Sequence, residues 1–318
     1  MEINVHDPCF VFALTLDGEG RATNHVPGES NSWLHIDYSV DTTEMWLQSL
    51  GLENWVISTL VRRDTRPRTV VSSHGTLIIV RAINLNPESD PEDMVSLRIW
   101  LEPDRIITVR QRKLLSVQDV REELENGNGP KTVEDVLVSL IERVGDRIAI
   151  FVDQMEDRLE GLESQVEAER NSRTRKSISE TRRQIASVRR FLAPQRDALE
   201  GLYRYWVTLS NMTQANKLRE QADRVIRYVE DLDLVRERLL VAQEDLMNLV
   251  MEEQNSRMYA LSIVAVIFLP ITFVSGVFGM NVAGLPGLTE PNAFNIVMGG
   301  MVAVSASVVT WLITKRWL

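Results

Sequence analysis

The sequence predicts an α+β membrane protein: a mixed N-terminal domain, a long helical stretch, and two transmembrane helices at the C-terminal end. Three observations carry that reading. Met258 to Phe278 contains no charged residue, a run of about 21 residues where roughly 20 cross a bilayer as a helix. A second uncharged run, Ala293 to Thr314, follows a short loop. Upstream of both, apolar residues recur at alternating spacings of three and four, after a first hundred residues that alternate strand-like runs with turn signals.

Phe10 to Leu14 and Trp33 to Tyr38 are strand-like, and Gly18, Gly20, Pro27 and Gly28 mark turns around them. Asp41-Thr42-Thr43-Glu44 predicts an N-cap, followed by a helical pattern through Trp46, Leu47 and Leu50. Thr76 to Arg81, Met94 to Trp100 and Arg105 to Val109 read as further strands, with a tight loop at Asn86 to Pro91. Strands interleaved with helices indicate an α/β or α+β domain over residues 1–131.

From Ser116 the pattern is helical. Val117 to Leu124 is a short helix stopped by Asn126-Gly127-Asn128-Gly129-Pro130. Residues 132–212 form a helical hairpin. Its first arm ends in acids from Asp153 to Glu169 and its second begins with bases from Arg170 to Arg190, so the arms are expected to be pinned by ion pairs. The competing expectation is two solvated faces, since exposed pairs contribute only about 0–1 kcal/mol each. The basic run lacks the aromatic neighbours that stack bases.

After a break at Leu209 to Thr213, a helix without Gly or Pro runs from Gln214 towards the membrane, residues 213–257 forming its cytosolic part. Leu218, Ala222, Val225, Val229, Leu232, Val235, Leu239, Ala242, Leu246 and Leu249 form one stripe. Continued to Phe278 the helix is on the order of 100 Å long at 1.5 Å per residue. Such a stripe exceeds what one small domain covers, so it is expected to pack on copies of itself.

The membrane part comprises helix 258–278, loop 279–292, helix 293–314 and a basic tail, 315–318. Arg257 and Lys315-Arg316 flank the helices, and the loop has no Lys or Arg. The positive-inside rule puts both termini in the cytoplasm, with Trp311 and Trp317 at the inner interface. Residues 1–20 offer no signal-peptide pattern, so the soluble part is expected to stay in the cytosol. Cys9, the single cysteine, excludes an intramolecular disulfide and reads as a small buried residue in a strand. The net charge of −10 argues against a nucleic-acid partner and suits a protein that gathers cations.

Two helices per chain cannot enclose a polar pathway, but several copies can if the first helix of each lines a pore. Helical spacing puts Asn255, Met258, Leu261 or Ser262, Leu269, Thr272 and Gly276 on one face, leading to the turn at Asn281. That face has no carboxylate. It suits an ion that keeps its water, with an apolar section that gates by dewetting. Hydrogen bonding between helices is the competing role for Asn255 and Thr272.

Gly279-Met280-Asn281 at the outer end of the first of two C-terminal membrane helices resembles the signature of the CorA superfamily of divalent-cation transporters. Phe268-Leu269-Pro270-Ile271-Thr272-Phe273 and the Lys315-Arg316-Trp317-Leu318 tail strengthen the resemblance, which covers essentially the whole chain. It implies a funnel-shaped homopentamer in a bacterial inner membrane, with an N-terminal αβα domain and stalk helices lining the funnel. It also implies an outer cation site at the Asn281 ring, and matches the pore face above. Within the superfamily the chain looks more like the ZntB-type zinc transporters. Thr65-Arg66-Pro67-Arg68, the segments Asn84 to Pro87 and Pro91 to Val95, Arg110-Gln111-Arg112-Lys113, Ala193 to Asp197 and Val282 to Gly287 resemble that branch. The acidic loop of the magnesium branch is absent, leaving Glu290 as the only loop acid. The implied activity is zinc uptake coupled to the proton gradient.

The residues themselves do not display zinc chemistry. His6, His25, His35 and His74 all lie in the N-terminal domain and read as ordinary surface or strand histidines. Glu244, Asp245, Glu252 and Glu253 near the inner mouth are candidates for concentrating cations, or else a solvated helix face. Neither membrane helix carries an acid for a proton relay. A magnesium, cobalt or nickel channel of the same architecture, and a non-transporting scaffold or sensor, are the alternatives. No P-loop, GxSxG, HExxH or GxGxxG in a suitable context points to an enzyme, and no cofactor is expected besides the transported cation.

Overall fold

The computed structural model describes residues 7–25, 29–168, 172–209, 211–280, 282, 285 and 291–315. The chain divides into two compact units, Met1–Gln243 and Glu244–Leu318.

The first unit is built on a seven-stranded sheet: β1 (Phe10–Leu16), β2 (Ala22–Asn24), β3 (Ser32–Asp37), β4 (Arg68–Val71), β5 (Thr76–Ala82), β6 (Val95–Leu101) and β7 (Arg105–Arg110), in the spatial order β2-β1-β3-β7-β6-β5-β4. Only β3 and β7 pair in parallel, with Trp33 opposite Ile106 and Ile36 opposite Val109. β5 and β6 are buried almost throughout, which is why Leu77-Ile78-Ile79-Val80 reads as a continuous apolar run rather than an alternation.

Helices α1 (Thr43–Ser49) and α2 (Asn54–Leu60) pack one face of the sheet, where Trp46, Leu47, Val56 and Leu60 meet Leu34, Ile36, Trp100 and Val109 in one core. The other face carries α4 (Val133–Ala168) and α5 (Ser172–Thr208), with α3 (Leu115–Glu125) packed on α4. The layering is therefore αβα. Gly127, at φ 77°, ends α3 in the left-handed conformation that glycine adopts most readily. Gln195 of α5 accepts the backbone N–H of Arg81 at 2.7 Å, and Thr69 on the edge strand β4 donates to Ala198 O at 2.8 Å. These bonds tie the sheet edge to α5.

Thr42 stands at the N-cap of α1 as expected, but its hydroxyl donates to Asp7 Oδ1 at 2.8 Å and caps nothing. Cys9 is buried one residue before β1 rather than within it. Burial and the neighbouring Asp7 push its thiol up to about 12, which leaves it unreactive.

The long helix α6 (Met212–Phe278) corrects the expected role of its stripe. Leu218, Ala222, Val225, Leu232, Val235, Leu239, Ala242 and Leu246 are buried within the single chain, so copies of the chain are not needed to cover them. The two helices face each other at Gly145 of α4, where a Cβ would meet the tip of the Gln221 side chain of α6, Oε1, at 2.9 Å. Arg224 donates to Asp146 at 2.8 Å, Arg189 of α5 pairs with Asp233, and Arg238 pairs with Glu163. Arg189 of the basic arm and Glu163 of the acidic arm thus pair with α6, while Lys176 pairs with Glu180 inside α5. Arg158 of the first arm donates to Gln184 of the second at 2.8 Å, a bond between a cation and a neutral amide.

Candidate functional site

In the second unit, two helices among the described residues are long and apolar enough to cross a membrane: the C-terminal part of α6 and α7 (Ala293–Thr314). Their apolar windows are almost wholly uncovered, with Phe268, Phe273, Phe294 and Ile296 among the exposed side chains. A surface in water does not present apolar area on this scale. The hydroxyls on these helices are satisfied locally, as a bilayer requires: Ser262 donates to Met258 O, Ser305 to Met301 O, and Thr310 to Ala306 O.

The two faces of α6 in this stretch differ. Ile263, Ile267, Pro270, Ile271, Val274 and Val277 are half-buried, and every other residue from Met258 to Phe278 is exposed. On α7, Val297, Met301, Ser305, Val308, Val309 and Leu312 form the matching shielded stripe. At about 100° per residue, Met258, Leu261, Leu269, Thr272 and Gly276 lie on the opposite side of α6 from its shielded stripe. Leu261 and Leu269 are each 70% exposed, and Met258 68%. Ser262, the alternative to Leu261, is also exposed, with its hydroxyl turned to its own backbone.

Among the described residues, neither the Asn255 side chain nor the Thr272 hydroxyl bonds to another helix of this chain, so a role in holding the chain's own helices together does not account for them. A Cβ at Gly276 would meet nothing within 4 Å. α6 ends at Phe278, beyond which Gly279 N–H and Met280 N–H still bond back to Ser275 O and Val277 O at 2.9 and 3.3 Å. Asn281 and Glu290 lie outside the described residues.

Of the acids near Asn255, Glu244 continues the exposed face of α6, while Asp245, Glu252 and Glu253 turn away from it at about 100° per residue. Glu253 is held by Arg257 at 2.5 Å. No group of three or more His, Cys, Asp or Glu side chains suited to a metal occurs among the described residues. The histidines fit that picture, His6 lying outside the described residues. His25 Nδ1 is 2.9 Å from Thr15 Oγ1, and the exposed His74 pairs with Glu53 at 3.0 Å.

His35 is fully buried, with Nδ1 2.8 Å from Thr108 Oγ1. Burial first, then the charges of Arg110 and Arg121, hold its pKa down to about 3. The folded protein keeps this ring neutral, whereas the unfolded chain protonates it near the ordinary value of 6.5. Stability is therefore fully present above pH 6.5 and falls as pH drops towards 3, by up to about 1.4 kcal/mol per pH unit for one proton. Thermal unfolding of the wild type and of His35→Gln between pH 7 and 4.5 is expected to give a shallower pH dependence in the variant.

The chain matches the family model described as CorA-like Mg2+ transporter protein over residues 28–316. It is 38% identical over 297 residues to the divalent cation transporter CmaX of Pseudomonas aeruginosa, covering 91% of this chain and 88% of that one. It is 31% identical over 314 residues to the zinc transport protein ZntB of Yersinia enterocolitica, covering 97% and 96%. The solved structure of full-length CmaX superposes with a TM-score of 0.83 at 35% identity, covering 97% of each chain. The CorA magnesium transporter of Methanocaldococcus jannaschii does so at 0.84 with 18% identity, covering 97% of this chain and 99% of that one, a likeness of fold alone. The chain belongs to the CorA-like Mg2+ transporter family.

Proposed function

We propose that this protein transports divalent cations, zinc first among them, across a bacterial inner membrane as a homopentamer with both termini in the cytoplasm. The observation that carries the reading is the division of α6 into a shielded stripe and an opposite, uncovered face free of carboxylates. An uncovered face of Met258, Leu261, Leu269, Thr272 and Gly276 is what copies of the chain need to surround a shared axis. Such a face strips no water from a divalent ion, since neutral oxygens and apolar groups cannot replace its hydration shell. The ion passes hydrated, meets the Asn281 amides at the outer end, and crosses an apolar section around Leu261 and Leu269.

Zinc is favoured by the named ZntB relatives and by the missing acidic loop. A magnesium, cobalt or nickel channel is the second reading, supported by the family model's description. Proton coupling in this reading runs outside the two apolar helices, which hold no acid. The test is metal flux into proteoliposomes loaded with a metal-sensitive dye. Zinc flux raised by an inward proton gradient supports proton-coupled zinc uptake. Gradient-independent flux that accepts magnesium equally supports the second reading, and no flux of any metal sinks both.

A further inference from the structure

Segments Pro91–Val95 and Arg110–Lys113 converge on a pocket of about 160 Å3 in the first unit, lined by Arg63, Arg81, Asp93, Arg98, Gln111 and Arg112. Four guanidiniums thus face one carboxylate, in a chain whose net charge is −10. Asp93 is already engaged by Arg112 at 2.5 Å. Arg81 donates Nη1 to Met94 O at 2.8 Å and Nη2 to Thr65 O at 2.7 Å, and the carboxylate nearest to it, Asp64 at 3.7 Å, is 98% exposed.

Arg98 is the deepest member, 1% exposed. Its Nη2 donates to Arg62 O at 2.7 Å and to the Tyr38 hydroxyl at 3.2 Å, and its guanidinium lies over the Tyr38 ring. Its Nε and Nη1 have no hydrogen-bond partner, nor does Arg81 Nε. Among the described residues Arg98 makes no ion pair. Glu92, whose Oε2 is also unpartnered, does not line the pocket. A cation taken out of water without a counter-charge is costly. Arg81 registers that cost: burial and the charge of Arg98 hold its pKa below the ordinary arginine value.

We propose that this pocket binds a tetrahedral oxyanion of the phosphate class, with Arg98 beneath it, Arg81 adding its charge, and the more exposed Arg63 and Arg112 at its mouth. Guanidinium forks match the spaced oxygens of such an ion, where a lone halide would leave most of the donors unused. The pocket's size admits one such ion and excludes a folded segment of another protein. Two sources share this chemistry, free phosphate and a phosphate ester.

The test uses the full chain in detergent micelles, free of metal, with thermal unfolding followed against inorganic phosphate, glycerol phosphate and chloride at constant ionic strength. Phosphate or its ester is expected to raise the midpoint saturably where chloride does not, the better of the two naming the source. Arg98→Gln is expected to abolish the shift. Because a buried change can also unfold the domain, the deciding variant is Arg63→Ala/Arg112→Ala at the mouth, which also frees the Asp93 carboxylate to repel the anion. It is expected to raise the half-saturating concentration by about tenfold or more, the loss of a single strong charge-assisted contact. No saturable shift in the wild type, an equal shift with chloride, or an unchanged half-saturation in the mouth variant overturns the proposal.

Discussion

Replacing Asn281 by alanine is expected to bring zinc flux in proteoliposomes down to background while leaving the oligomer intact. In the proposed function the outermost polar contact of a hydrated divalent ion is the ring of Asn281 amides, and the face below it offers little else. From Met258 to Gly276 it presents thioether, isobutyl, hydroxyl and glycine groups, none of which carries charge. An ion leaving bulk water has no carboxylate to compensate it there. Each amide lost costs on the order of 1 kcal/mol of hydrogen bonding to the ion's water shell, and a homo-oligomer loses all of them at once. Flux is therefore expected to fall by more than about tenfold. Size-exclusion chromatography in detergent checks assembly, which rests on other residues. Retention of half or more of the flux would remove Asn281 from the ion's path.

The elements with long apolar periodicity were legible in the sequence, and those held by context were not. β3, β5, β6 and β7 are expected from Trp33 to Tyr38, Thr76 to Arg81, Met94 to Trp100 and Arg105 to Val109, because buried strands need unbroken apolar runs. β2, at three residues, and β4, with the sequence RTVV and three of its four positions exposed, carry no such pattern and exist through pairing with β1 and β5. α2 escaped because, unlike the equally short α1, it follows Glu53 rather than a Ser, Thr, Asp or Asn cap.

The stripe on α6 was read correctly as buried and wrongly as an oligomer contact. Spacing reveals that a face is covered but not by which helix. The uncovered face of α6 was legible for the converse reason, since polar and small residues at helical spacing in an apolar run stand out by themselves. The arginine pocket was not: Arg63, Arg81, Arg98 and Arg112 come from four separate stretches, two of them inside strands where an arginine looks like an outward-facing residue.

The two faces of α6 also set the outcome of placing one charge at two positions two residues apart. Val274→Asp puts a carboxylate on the half-buried stripe, and Thr272→Asp puts one on the exposed face opposite. An aspartate at the centre of a membrane helix costs about 2.5–3.5 kcal/mol where it meets hydrocarbon. At Val274 the surroundings are Ile267, Ile271 and Val277 on the same stripe, and the shielded stripe of α7 is apolar except for Ser305, whose hydroxyl is bonded to Met301 O, so little there can hydrate or pair with the charge. Assembled protein recovered from membranes is expected to fall by about tenfold or more, the Boltzmann equivalent of roughly 1.4 kcal/mol, less than half the upper cost. At Thr272 the same carboxylate faces the water of the proposed pore and stays ionised. That variant is expected to assemble in normal yield and to pass zinc more slowly, because a ring of carboxylates holds a divalent ion that neutral hydroxyls release. Equal loss of assembly in both variants would mean that the exposed face of α6 meets lipid or another apolar helix rather than water, and the pore would then have to be sought on a different surface of the oligomer.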